Sequence, residues 1–219
     1  MAADPTFPIE GLLEELGFVR VASKQWARGA LIEAGLTNGR KQNMAVAKRE
    51  AAIAAIEERV ARVCSAEACR NALDTSGPHG PRRVVEVASE GCEVCGGSDT
   101  ARATQAMIQD LVAAGRTRLL VIGGSPNART TLRAILRGSA IDVSFVEGDR
   151  PTGTKRAKDL ADRADVVVIW ANTQLDHKTS LPFTTAAPEK TFTCARRSVA
   201  ALAEEVSRHV RGGAASRRR

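Results

Sequence analysis

Four of the five cysteines in this chain fall into two pairs, Cys64-x4-Cys69 and Cys92-x2-Cys95, with 22 residues between the pairs. Thiolates are soft, strong ligands. Two short-spaced pairs bring four of them to one tetrahedron, as in structural zinc sites. Gly91, Gly96 and Gly97 permit tight turns around the second pair, and Val84 to Val87 reads as a strand of a short hairpin between the pairs. The expected cofactor is a structural Zn2+ held by Cys64, Cys69, Cys92 and Cys95. A site closed by four thiolates has no open position for substrate. Two alternatives remain at this point. His79 could replace one cysteine, or Cys92 and Cys95 could form a redox pair, since a helix is expected from about Ser98 to Ala114.

A second group of candidates follows apolar runs. Leu119-Leu120-Val121-Ile122 breaks on Gly123-Gly124-Ser125-Pro126-Asn127, which reads as a strand, a turn and the start of a helix. Ligands of open α/β sheets bind where such turns gather, at the carboxyl ends of the strands. Gly123, Gly124, Ser125 and Asn127 are the candidate phosphate or nucleotide contacts. Asp149, Asp176 and His177 are weak catalytic candidates after neighbouring strands. The spacing argues against a dinucleotide cofactor, because G-x-G-x-x-G and the Walker motif are both absent. No nucleophile sits in an elbow motif.

Charge marks a third group. Seven basic residues lie between Arg20 and Arg49, against one acid, Glu33. A helix is expected from Ser23 to Ala34, then a Gly35 turn, then a helix from Thr37 or Asn38 to about Val63. Helix, glycine turn and helix outline a helix-turn-helix. In that reading Arg28, Arg40, Lys41, Gln42, Asn43, Lys48 and Arg49 face nucleic acid, since Arg, Gln and Asn suit base edges. A helical hairpin with a solvated basic face is the bland alternative.

These groups need elements to position them. Strands are expected over residues 118–123, 141–146, 166–170 and 191–194. Helices are expected over 99–114, 127–137, 154–163 and 198–210. Alternation of this kind builds a parallel sheet with helices on both faces. The expected fold is α/β, a small parallel Rossmann-like sheet preceded by a helical module and a four-cysteine knuckle. The expected divisions are 1–63, 64–97 and 98–210, with 211–219 (R-G-G-A-A-S-R-R-R) as a disordered basic tail.

The totals narrow the function classes. The 219 residues are 43% hydrophobic, enough for a core, but only 3% aromatic, with no tyrosine. Scarce aromatics argue against a stacking platform for single strands. Net charge is +7, and residues 101–219 hold 20 Lys and Arg against 11 Asp and Glu. Basic surfaces favour polyanionic partners. No apolar run approaches the roughly 18 residues of a membrane span, and no signal peptide is evident. A cytoplasmic protein is expected, where cysteines serve as ligands or free thiols more often than as disulfides. Cys194, on a short strand, reads as core.

The segment 118–201 resembles a bacterial family catalogued as a domain of unknown function. The resemblance rests on Leu120-Val121-Ile122-Gly123-Gly124, on Ala164-Asp165-Val166-Val167-Val168-Ile169-Trp170 and on Leu175-Asp176-His177-Lys178-Thr179-Ser180. It implies a small Rossmann-type sheet and a mobile-element or phage-defence setting, with no agreed reaction. The leading expectation is therefore a zinc-stabilised nucleic-acid-binding protein, with DNA favoured and no membrane partner. The alternatives are an enzyme acting on nucleotides or nucleic acid at the strand ends, and a self-assembling adaptor that forms homo-oligomers.

Overall fold

A computed structural model describes residues 5–148, 152–170 and 177–216, with backbone alone at 177–179 and 213–216. The chain divides into two units, Met1–Arg102 and Ala103–Arg219. The first contains β1 (Thr6–Pro8), α1 (Ile9–Glu15), α2 (Val21–Glu33), β2 (Asn43–Ala45), α3 (Arg49–Glu57), β3 (Val60–Val63), α4 (Glu67–Ala72) and β4 (Arg83–Glu86). Next comes α5 (Asp99–Ala113), which starts in the first unit and continues into the second. The second unit continues with β5 (Arg118–Gly123), α6 (Pro126–Leu136), β6 (Asp142–Val146), α7 (Thr154–Arg163), β7 (Val166–Trp170), α8 (His177–Ala186), β8 (Thr191–Cys194) and α9 (Val199–Ser216).

The second unit is built as its apolar runs dictate. Its four strands are all parallel, in the order β6-β5-β7-β8. Residues alternate between the sheet's two faces, so a strand buried on both reads as a continuous apolar run. Leu119 and Val121 of β5, with Val166, Val168 and Trp170 of β7, pack with Met107, Leu132 and Leu202 of α5, α6 and α9. Leu120, Ile122, Val167 and Ile169 point the other way, onto Ala157 and Ala161 of α7 and Phe183 of α8. Ser125 caps α6 by accepting a hydrogen bond from the Ala128 N–H, and Pro126 opens the helix, a start for which proline is well suited.

The structure departs from the sequence expectation in two places in the first unit and in one place in the second. The long helix expected from Thr37 or Asn38 to Val63 does not form. Asn38 turns the chain instead, its Oδ1 accepting from the backbone N–H groups of Arg40 and Lys41 at 3.0 Å each. Asn43–Ala45 is then captured as a strand, antiparallel to Thr6–Pro8. Helix begins only at Arg49 and ends at Glu57. Arg40, Lys41, Gln42 and Asn43 therefore lie on a turn and a strand, and a helix-turn-helix is not what separates α2 from α3.

The expected hairpin is also replaced. β4 pairs parallel to β3, with Val60 opposite Arg83 and Val63 opposite Glu86. Val60-Ala61-Arg62-Val63 continues a helical run in sequence, but its β-branched residues find a partner strand that overrides that pattern. Finally, α9 continues through Ser216, so the described part of the expected tail is helical.

Candidate metal centre

The parallel pairing of β3 and β4 decides where the cysteines go. A parallel pair needs a crossover, and here it runs through residues 64–82. Cys64 is the first residue beyond β3, and Cys69 lies in α4 within the crossover. Beyond β4 the chain turns through a short 3-10 segment, Ser89–Gly91, to Cys92, and reaches Cys95 before α5. The four Sγ atoms lie within 4.8 Å of one another, with Cys64 and Cys95 at 3.9 Å. A tetrahedral ion with bonds of about 2.3 Å sets its sulfurs roughly 3.8 Å apart, so an ion fits with a small inward movement. No disulfide links them, and all four side chains are buried. Val63, Ala66, Leu73, Val94 and Ala101 close around them. By donor set and geometry these four sulfurs could hold a metal ion.

Electrostatics favour a cation between the sulfurs. Burial pushes the Cys64 thiol up, and burial followed by the neighbouring thiols pushes Cys69 up strongly. Cys92 goes the other way. Burial would raise it, but backbone N–H groups of Cys95, Cys64 and Val94 donate to its sulfur and together bring it down to about 7. The knuckle's own backbone thus favours the ionised form of Cys92. The raised Cys64 and Cys69 thiols ionise more readily beside a cation, which couples metal binding to proton release.

A polar frame holds the second knuckle against β3. The Glu93 N–H donates to Arg62 O at 3.0 Å, and the Arg62 N–H returns a bond to Glu93 Oε1 at 3.0 Å. Arg82 Nη1 donates to Glu93 Oε2 at 2.9 Å and to Glu57 O at 3.2 Å. Behind the knuckle, Gly91 passes so close to the end of α1 that a Cβ there would collide with Leu16 O. Gly17, at φ +86°, meets it with a Cα approach that a side chain would also block, and its carbonyl accepts from Ala88 N–H at 2.8 Å. Glu93, Arg62, Arg82 and Gly17 escaped sequence reading. The charged residue inside Cys92-x-x-Cys95 was the available signal.

His79 is not part of the centre; it is exposed and lies 3.3 Å from Glu58 Oε2. Cys194 belongs to the sheet of the other unit, buried at the end of β8, where burial raises its thiol.

The strand-end candidates are arranged differently. In the order β6-β5-β7-β8, the connections leave β5 in opposite directions, and the crevice between β5 and β7 is where ligands of such sheets bind. There Gly124 has φ +74° and lies against the Trp170 ring, which is wholly buried. The Gly124 N–H is engaged by Trp170 O at 3.1 Å, the Ala128 N–H by Ser125 Oγ and the Arg129 N–H by Ser125 O. Pro126 has no N–H to offer. Arg129 closes the turn, with Nη1 donating to Gly124 O at 2.7 Å. Gly123, Gly124, Ser125 and Asn127 do come together, but the turn is satisfied from within and packed by an indole. Asp149 and Asp176 lie outside the described residues, as does the side chain of His177.

Of the basic candidates, Arg28 donates to Lys41 O and Arg49 pairs with Glu15. Arg40, Lys41, Gln42, Asn43 and Lys48 are exposed. No described helix is long and apolar enough to cross a membrane. Compared with family models, curated proteins and solved structures, the chain finds no match in any of the three.

Proposed function

We propose that the protein is a zinc-stabilised binding module, in which a Zn2+ on Cys64, Cys69, Cys92 and Cys95 orders the first unit so that it can present a basic turn to nucleic acid. The observation that carries this reading is the convergence of four buried thiols within 4.8 Å, a donor set that suits zinc better than the harder divalent ions. Zinc supplies no reaction here, because all four positions are taken by protein. Its contribution is to fold the knuckle.

The partner reading rests on the segment 38–48, a turn followed by β2 and a short 3-10 helix. Asn38 sets its shape, Arg28 anchors it through Lys41 O, and Arg40, Lys41 and Lys48 extend from it. With the recognition helix gone, these residues suit phosphate contact in place of base reading, and DNA remains the favoured polymer. Phosphate contacts release counterions, so affinity should fall steeply with salt and show little sequence preference. One experiment tests both halves. Fluorescence anisotropy is measured with duplex DNA, single-stranded DNA and RNA at two salt concentrations, on protein whose zinc has been counted. Zinc near one per chain, salt-steep binding, and weaker binding to every duplex by K41A/K48A are expected. Equal affinity of the double variant and the parent would overturn the nucleic-acid reading.

A further inference from the structure

We infer that Arg102 is a positioning residue for the metal centre: its guanidinium holds positive charge against Cys95 and slows electrophilic attack on that sulfur. The inference rests on the zinc reading above and adds to it a side chain that sequence spacing did not mark.

Arg102 lies in α5, seven residues beyond Cys95, and its N–H bonds back to Ser98 O at 3.0 Å. One helical turn thus returns the side chain over the knuckle. Nη1 reaches Cys95 Sγ at 3.8 Å, while the other arm of the guanidinium pairs with Asp99. The Arg102 side chain is 28% exposed. Cys95 Sγ also lies 3.8 Å from Ser89 O. A thiol can donate to that carbonyl, but a thiolate cannot. Once Cys95 is a metal ligand, the carbonyl faces it unfavourably, and Arg102 Nη1 becomes the donor that reaches it.

The charge balance gives the contact its consequence. Four thiolates around Zn2+ carry a net charge of −2, in a pocket otherwise lined by Val63, Ala66, Leu73, Val94 and Ala101. Cys92 has backbone donors from its own knuckle. Cys95 depends on a side chain, and a side chain can be replaced. A thiolate whose lone pair is engaged by a charged donor is a poorer nucleophile, and such bonds are about twice as strong as neutral ones.

The test uses the full-length zinc-loaded protein and N-ethylmaleimide. The thiolate sulfur forms a bond to one alkene carbon of the maleimide, the neighbouring carbon takes a proton from water, and the resulting thioether releases the ion. Zinc appearance is followed with a colorimetric chelator in the parent, R102Q and R102K. Loss of one charge-assisted contact corresponds to roughly a tenfold faster release, expected for R102Q. R102K keeps the charge without the planar fork and is expected within about threefold of the parent. Mass spectrometry should place the first adduct of R102Q on Cys95. A fully zinc-loaded R102Q that releases at the parental rate would overturn the role of Arg102 and leave the zinc reading standing. Equal acceleration in R102Q and R102K would also overturn it, since packing and not charge would then be responsible. A parent protein without zinc would remove both readings together.

Discussion

The two units of this protein solve the same problem with different materials. The second places a four-stranded parallel sheet between two layers of helices, and strand positions alternate between two apolar clusters. The first has no such sheet among its described residues. Its two strand pairs are short, and one side of it is closed by four sulfurs and an Arg62–Glu93–Arg82 frame. Burial of apolar surface is distributed over many residues, each adding about 1.5–3 kcal/mol. A metal clip concentrates stability in a few ligands. One unit should therefore soften gradually under substitution, whereas the other should fail at single positions.

The largest effect expected from this contrast is loss of the first unit alone. C69S removes the most deeply buried ligand, and the first unit should lose its cooperative transition, as it should under a strong chelator. The second unit's transition should stay where it was. Urea unfolding monitored region by region with hydrogen exchange would check this, and simultaneous loss of both transitions would contradict the division.

A smaller effect, in the opposite unit, should follow G124A. At φ +74° a Cβ is strained, and it would run into the Trp170 ring. Left-handed strain and overpacking each cost about 1–3 kcal/mol, so a loss of about 3 kcal/mol is expected in the second unit's unfolding free energy. Chelator sensitivity should not change.

The smallest effect separates the units by acid. His209 is stacked on Phe192 at 4.3 Å between ring centroids, and burial, with Arg116 nearby, holds its pKa below the ordinary value. The folded state then binds fewer protons than the unfolded one. Stability contributed by the neutral ring is present above about pH 6.5 and is lost as pH falls below it. H209Q should flatten the decline of the second unit's melting temperature between pH 7 and 5.5, leaving the first unit's profile unchanged.

Much of the second unit was legible because buried parallel strands announce themselves. Arg118–Gly123 and Val166–Trp170 stand out as apolar runs between turn signals, and no distant partner is needed to recognise them. The cysteine set was legible for a similar reason, since ligand spacing is local. The first unit hid what depends on remote pairing. Asn43–Ala45 becomes a strand because Thr6–Pro8 lies beside it, and Val60–Val63 because Arg83–Glu86 does. Neither partner is within reach of a helical-period argument. Glu93 and Arg102 were hidden differently. Charged residues near a cysteine look like ordinary surface until the fold turns them inward.

The placement of the indoles has a spectroscopic consequence. The chain has two tryptophans and no tyrosine, and each unit holds one. Trp26 is 46% exposed beneath the Arg83 guanidinium, 3.3 Å from its ring centroid, while Trp170 is fully buried and donates to Arg196 O at 2.8 Å. One fluorophore should emit to the red and be accessible to iodide, and the other should emit to the blue and be shielded. Without any label, the protein carries a separate optical gauge for each of its halves.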